Sequence, residues 1–332
     1  MNAYLPNNTW PLSMVVAILA FATITGYFVA QMPSLRVSRW TAWSMVVYGV
    51  ILAEQTTGQQ PAGFRMLAII AVLLLTMKVV VTTEVYHANK GKLTFWQWLS
   101  FACLWVGMRP AIFRNVPGPP RTEVGAYMWR GFKNIAIGIF LALSARYLWL
   151  AFTDGPTTIR RILPTILLLP GISLILHFGI FNLLTAWWRW MGAQCDTIFR
   201  EPLQSISLVE FWGRRWNLAF SEMTTLAVHR PLRGTWGHTT ATLMSFTFSG
   251  LLHELAISLP VRAGFGGPML YFLVHGIGMS LETRWSTLST LIQRHPHLGR
   301  LWTFLWIVLP LPILFHRPFL AGCVWPLVGL DY

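Results

Sequence analysis

Acidic side chains are scarce in this sequence: 11 Asp plus Glu in 332 residues, against 25 Lys plus Arg. Charge of either sign is also rare, at 11% of residues, where a soluble globular domain carries about 25%. That excludes an ordinary soluble domain. The net charge of +14 does not indicate a nucleic-acid binder, because the chain lacks a polar domain on which to concentrate it. Only three aspartates occur, Asp154, Asp196 and Asp331, and they are scattered. A prenyltransferase that holds diphosphate through magnesium needs them clustered. The three cysteines, Cys103, Cys195 and Cys323, are too few and too far apart for a disulfide framework or a cysteine metal site; Cys195 reads as a structural thiol. No Ser/Gly-rich linker, charge block or internal repeat interrupts the pattern, so residues 1–332 read as one integral-membrane domain.

What is abundant is hydrophobic length, with 55% of the residues apolar. A helix crossing a roughly 30 Å hydrocarbon core needs about 20 predominantly apolar residues. Runs at 12–30, 64–83, 135–152, 162–184, 240–259, 265–282 and 301–324 meet that test, and the shorter 40–53 is predicted to join them. The fold class is therefore all-α and polytopic, with eight spans. The run 95–108 has a length suited to a re-entrant or interfacial segment. Pro164 and Pro170 lie inside the fifth span and predict a kink, while Pro117, Gly118, Pro119 and Pro120 block helix in the loop before it. The stretch 185–239 opens on Trp187, Trp188 and Trp190 and carries mixed charge, which predicts an interfacial location.

Lys and Arg near span ends accumulate on the cytoplasmic side. With the N-terminus outside, the inner loops collect Arg36 and Arg39, then Lys90, Lys92, Arg109, Arg114 and Arg121, then Arg189 to Arg233, then Arg284, Arg294 and Arg300. Arg160 and Arg161 fall on the wrong side. Both termini are predicted to be non-cytoplasmic, and the first run, which lacks a basic approach, reads as a retained span.

Ionisable side chains inside spans are costly and mark candidate sites. His253 and Glu254 stand together in Ser249-Gly250-Leu251-Leu252-His253-Glu254. His253 lies about nine residues before the turn at 261–264 and His275 about ten after it, so both sit roughly 14–15 Å deep. His177 lies somewhat nearer the inner side. Any of these histidines can instead serve as polar glue between helices. A second cluster, Phe211-Trp212-Gly213-Arg214-Arg215-Trp216-Asn217, combines interfacial aromatics, phosphate-matching arginines and an amide; by itself it reads equally well as an aromatic belt with lipid anchors.

Taken together, FWGRRWN followed about thirty residues later by a span containing SGLLHE resembles the wax-synthase-like branch of the membrane-bound O-acyltransferase (MBOAT) superfamily. The resemblance covers residues 180–285. It implies a multi-helix membrane fold enclosing a tunnel, an acyl-CoA donor arriving from the cytoplasmic side, and a lipophilic alcohol as acceptor. The family's catalytic histidine and asparagine map to His253 and Asn217. Trp212, Arg214, Arg215, Trp216, Glu254 and His275 are weaker candidates for substrate contact, and Arg214, Arg215, Arg230 and Arg233 for the phosphates of coenzyme A. No metal and no cofactor beyond the acyl-CoA co-substrate is implied.

The chemistry is consistent with those roles. A hydroxyl is a poor nucleophile until a base takes its proton, and a neutral imidazole buried among apolar groups suits that task. An amide N–H can stabilise the oxyanion that develops on the thioester, a contribution of about 3 kcal/mol. Glu254 points about 100° away from His253 around the helix, so it is not the direct partner. Other chemistries fit less well. HExxH fails as a zinc motif because its last position is Ile257. Ser249 shares a face with His253, which permits a hydrolase, but a Ser-Gly pair is explained by close helix packing. A transporter would also bury polar groups at mid-depth, with paired halves that are not seen here. Within the resemblance, a fatty alcohol gives a wax ester, and acetylation of a sterol or terpenoid alcohol is the alternative. Acyl length, acceptor and oligomeric state are not encoded in any motif.

Overall fold

A computed structural model describes residues 2–88, 91–151 and 157–330, without the side chains of residue 2 and of residues 157–160. Lys90, Asp154, Asp331 and the side chain of Arg160 thus lie outside the described residues. Those residues form helices and loops, with no strand among them.

The first three long helices are α1 (Thr9–Val29), α2 (Leu35–Thr57) and α3 (Ala62–His87). Each start is dictated locally. Asn8 accepts the Trp10 amide at the head of α1, Ser34 accepts the Val37 amide at the head of α2, and Pro61 precedes α3, so short polar side chains satisfy the amides that a helix start leaves free. Close approach of helices depends on small residues. A Cβ at Gly49 would come within 2.9 Å of Val72 Cγ1. Helix α3 is the buried centre of this group, with Val72, Val79 and Val81 fully covered.

Helix α4 (Phe95–Leu104) starts with a Thr94–Gln97 capping box, which satisfies two free amides reciprocally. Its ten residues rise only about 15 Å, too short to cross. Its last carbonyls still need partners, and Lys78 of α3, fully buried, provides them. Its ammonium donates to the Phe101 and Trp105 carbonyls at 2.5 Å each.

The second group begins with α5 (Val124–Ala151), packed along α6 (Thr157–Ser173) and α7 (Phe181–Trp190), which are joined by a π-helical segment, Leu174–Ile180. Gly131, Gly138 and Ala142 face that long helix and let the backbones approach. Pro164 and Pro170 do not end the helix. The run Arg161–Trp190 stays helical and widens into a π turn after Pro170, the usual local adjustment within an otherwise regular helix.

The chain then builds α8 (Leu208–Glu210), a π turn Phe211–Arg215, and α9 (Leu218–Thr224). A further π turn, Thr225–His229, leads into α10 (Arg230–His253), with Glu254–Ser258 and α11 (Leu259–Val261) beyond it. Then follow α12 (Gly267–Arg284), α13 (Ser286–Arg294), α14 (Pro296–Val308), α15 (Leu311–Leu314) and α16 (Arg317–Phe319). Helices α10 and α12 lie antiparallel around the Arg262–Gly266 turn.

Among the described residues, six stretches are long and apolar enough to cross a membrane: Thr9–Val29, Ala62–His87, Val124–Ala151, Arg161–Trp190, Leu218–Val261 and Pro296–Leu314. Eight were expected. The two that fall short are helical and of 23 and 18 residues, but α2 carries Arg36, Arg39 and Glu54 while α12 carries His275, Glu282 and Arg284. The run 301–324 is not one helix, because Pro310, Pro312 and Pro318 divide it. The interfacial segment expected over 185–239 ends earlier. From Leu218 the chain is helical through to Val261, with one break at Gly237, whose φ is 78°. That lies in the left-handed region that glycine tolerates.

Candidate active site

The FWGRRWN segment is held in place before it does any chemistry. Glu282, buried on α12, accepts the Leu208 amide at 2.8 Å and the Trp302 indole N–H at 2.7 Å, while its other oxygen accepts the Val209 amide at 3.1 Å. This seats α8. Glu210 takes the Ile206 amide at 2.9 Å and the Arg215 guanidinium at 2.7 Å. Burial raises its carboxyl, but the Ile206 and Arg215 bonds outweigh it and leave it below the usual carboxylate range, because both favour the charged form. The extended stretch before the motif pairs with its end, the Arg200 amide donating to Arg215 at 2.7 Å and the Leu218 amide to Ile198 at 2.9 Å.

Between those two backbone bonds sits Asn217, at φ 43° and ψ 62°. In that left-handed region Asn is one of the few tolerated residues that carry a side chain. Its carboxamide oxygen accepts the Phe220 amide at 3.2 Å and so caps α9. The Nδ2–H2 group remains available to donate. The Phe220 ring lies 5.5 Å from the His253 ring.

His253 is partly accessible and stacks on Phe272, with centroids 4.2 Å apart. Its Nδ1 lies 2.7 Å from the Ser249 carbonyl, one turn back on the same helix. A carbonyl only accepts, so Nδ1 carries the proton and Nε2 holds a free lone pair. Glu254 turns the other way, correcting its candidacy for substrate contact. It is buried, and Oε1 accepts the Gly266 and Met269 amides at 2.8 and 3.0 Å. It thereby caps α12 with a charge of the sign a helix N-terminus favours.

The two deep histidines do reach one neighbourhood, with two aromatic rings between them. His275 is fully buried, donates from Nδ1 to Tyr271 at 2.7 Å, and meets the Trp212 ring at 5.4 Å. Trp212 and Phe272 are 5.6 Å apart. The His275 Nε2 atom approaches the Trp306 carbonyl without reaching hydrogen-bond geometry. His177, in the π segment, bonds Ser173 Oγ at 3.1 Å and packs on Phe199 and Trp216, forming the wall behind Asn217. Trp216 is part of that wall, stacked on Phe211. Cys195 is a buried thiol against the Thr185 carbonyl at 3.7 Å, and burial pushes it up to about 12. A thiol so held is inert, since only the thiolate reacts.

A cavity of about 480 Å³ opens between the motif turn, α9, α10 and α12. On α10 its wall is His238, Thr242, Ser245 and Ser249. These fall at helical spacing, and the stripe runs about 16 Å along the axis. His253 is the next position on that stripe, one turn beyond Ser249. Neither it nor Asn217 forms the wall itself, but Ser249, Phe220 and Phe272, which contact His253, all do. Trp212 and Arg230 with Arg233 also line the cavity. Arg214 does not and points outward, while Arg215 is committed to Glu210 and to the Arg200 and Glu201 carbonyls. Both are thereby removed from the expected donor contacts.

Sequence reasoning missed Phe220, Phe272, His229, His238 and Glu282. Glu282 carried a signal, an acid at the end of an apolar run. The aromatic pair carried none.

Residues 195–274 match the membrane bound O-acyl transferase family. Among curated proteins, the chain is 31% identical over 140 residues to the Probable long-chain-alcohol O-fatty-acyltransferase 6 of Arabidopsis thaliana, covering 37% of this chain and 40% of that protein. It is 36% identical over 101 residues to the Long-chain-alcohol O-fatty-acyltransferase of Simmondsia chinensis, covering 28% and 29%. The chain thus spans less than half the length of the relatives it matches. Residues 195–274, the segment that seats Asn217 and His253, are thus where this chain is similar to the membrane bound O-acyl transferase family and to long-chain-alcohol O-fatty-acyltransferases.

Proposed function

We propose that the protein transfers an acyl group from acyl-CoA to the hydroxyl of a long-chain alcohol, with His253 as general base and Asn217 as donor to the thioester carbonyl. The observation that carries this reading is the His253 Nδ1–Ser249 carbonyl bond of 2.7 Å. Because the carbonyl cannot donate, that bond leaves the lone pair on Nε2. A base in that state is ready to accept a proton from an attacking hydroxyl. The same imidazole then returns the proton to the departing CoA thiolate, so no net proton is gained. The alcohol oxygen bonds to the acyl carbon as the C–S bond breaks, and the products are an ester and free CoA. Asn217 suits the second role because its cap uses only the carboxamide oxygen, which leaves N–H groups for a developing oxyanion.

The names of the relatives supply the acceptor class for this proposal, a long-chain alcohol. The donor enters along the α10 stripe, with Arg230 and Arg233 toward its phosphate end. We infer further that the Arg-rich loops and the cavity's basic end face the cytoplasm and that both termini lie on the other side. The test is direct. Purified protein in nanodiscs, given acyl-CoA of several lengths and a panel of fatty, sterol and terpenoid alcohols, is expected to release free thiol and form ester with the fatty alcohols. Ester from acetyl-CoA and a sterol or terpenoid alcohol alone would redirect the proposal to acetylation. Flux of solute across vesicles without any ester would replace it with transport.

A further inference from the structure

The cavity beside His253 is walled largely by hydroxyls. Ser221, Thr224, Thr242, Ser245 and Ser249 all line it, and each donates its proton to a backbone carbonyl. Their lone pairs are left to accept from whatever enters, a lining that suits water as well as a ligand. Water next to a neutral imidazole competes with the alcohol. Its oxygen would bond the acyl carbon, the C–S bond would break, and its proton would pass through His253 to the CoA thiolate. The product would be a free fatty acid instead of an ester. A site that transfers acyl groups must keep that reaction out.

Two aromatic rings stand between that wall and the imidazole. Phe220 and Phe272 both line the cavity and both meet the His253 ring, at 5.5 and 4.2 Å between centroids. They are not equivalent. Phe272 is buried and wedged among the rings of Trp212, Phe246 and Tyr271, so moving it would break a close-packed cluster. Phe220 is half-buried, and among the described residues the one ring it meets is that of His253. Its side chain is free to change rotamer on its open side. Its backbone is pinned, because the Phe220 amide donates to the Asn217 carboxamide oxygen at 3.2 Å and to the Asn217 carbonyl at 2.9 Å. The ring therefore pivots on a fixed point, next to the carboxamide assigned above to the thioester carbonyl.

We propose that Phe220 is a specificity-determining residue that selects alcohol over water. Its ring covers His253 on the cavity side when no acyl group is bound, and the first carbons of the acyl chain take its place against Phe272 when one is. In either state an apolar group lies between the hydroxyl-lined cavity and the base. The proposal rests on the acyltransfer reading for the identity of the chain that displaces the ring; the cover itself follows from the placement of the two rings.

The test uses the full chain in phosphatidylcholine nanodiscs, given long-chain acyl-CoA and a fatty alcohol, with ester and free fatty acid separated and counted. Wild type is expected to form mostly ester. Phe220→Ala is expected to raise the ratio of fatty acid to ester by about tenfold, with Phe220→Leu between the two. A residue that only supports the fold would lower both products together, so an unmoved ratio in the variants overturns the proposal. Should the alanine variant not fold, the leucine variant carries the same comparison. A second measurement needs no turnover: carbethoxylation of His253 by diethyl pyrocarbonate at neutral pH, followed by mass spectrometry of the peptide that contains it. The reaction is expected to be slow in wild type and about tenfold faster in Phe220→Ala. Equal rates overturn the cover. The two failures are separable: faster carbethoxylation in a protein that makes no ester sinks the transfer alone, whereas ester synthesis with equal rates and equal product ratios sinks the role of Phe220 alone.

Discussion

His253 and Ser249 are joined by a 2.7 Å hydrogen bond from the imidazole Nδ1 to the carbonyl one helical turn earlier. The backbone past His253 opens into the π turn Glu254–Ser258. The bond holds the ring in one tautomer. Replacing His253 by Ala, or by Gln, is expected to reduce ester formation by about 10²–10⁴-fold, the usual contribution of a positioned base. The thermal midpoint should stay near wild type, since the residue buries no ion pair. Thiol release with acyl-CoA and fatty alcohol measures the first quantity and thermal unfolding in detergent the second.

Asn217 caps α9 through its carboxamide oxygen, the proposed reading adds an N–H donor to the thioester carbonyl, and the choice of substitution separates the two. Asn217→Asp keeps a carboxyl oxygen to cap the Phe220 amide but loses the N–H donors. It is expected to retain stability and lose about 10²–10³-fold in kcat. Asn217→Ala loses the cap as well and leaves an alanine in the left-handed region, with an added cost of about 1 kcal/mol. If the Asp variant turns over acyl-CoA at the wild-type rate, the amide has no catalytic function.

Glu282 satisfies three donors, the amides of Leu208 and Val209 and the Trp302 indole. Glu282→Ala leaves the buried Leu208 amide without a partner, at about 1–3 kcal/mol, and unpairs the part-buried Val209 amide and Trp302 indole as well. A large fall in thermal midpoint and loss of activity are expected together, with Glu282→Gln intermediate. A Glu282→Ala protein of unchanged stability would contradict the anchoring of α8.

Lys78→Met removes the cation that closes the end of α4 and leaves the Phe101 and Trp105 carbonyls unmatched. The expected result is destabilisation by about 2–4 kcal/mol, the cost of two such carbonyls. Maleimide should also label Cys103, which sits in α4 and is exposed, faster relative to buried Cys195. Equal labelling rates in wild type and variant would show that the lysine is dispensable there.

Glu210 supplies a pH dependence whose sign can be worked out. Its folded carboxyl titrates below its unfolded value, which for a free Glu is about 4.3. The stability it contributes is therefore fully present above that unfolded value and is lost as pH falls through the lower, folded value. Activity retained after incubation should fall as the pH is taken below about 4, and Glu210→Gln should flatten that part of the profile while lowering stability at pH 7. A profile that the substitution leaves unchanged would assign the acid sensitivity to another group.

Much of this molecule is legible from composition and periodicity, because lipid leaves the backbone few options. In a bilayer core every N–H and C=O must be satisfied within its own segment, so apolar length alone predicts helix, and the runs at 12–30, 64–83 and 135–152 appear as α1, α3 and α5. The shortness of 95–108 likewise foretold a segment that does not cross. His253 and Asn217 were legible for a different reason: their neighbours form short motifs with chemical character. The count of spans was less secure, because α2 and α12 interleave apolar residues with charged ones, Arg39 paired with Glu84 on α2 and Glu282 on α12, and so fall below the apolar character that a crossing needs.

Composition and motif are thus sufficient for an all-helical membrane chain with a histidine at depth and an amide-bearing motif upstream. Which groups face each other is settled by packing. Glu254 stands beside His253 in the chain yet caps α12, Arg215 belongs to the motif yet serves Glu210, and His229 and His238 meet across the Gly237 break. Side-chain partners are set by the rotation and packing of helices that are distant in sequence, and adjacency along one helix places neighbours about 100° apart, on different faces.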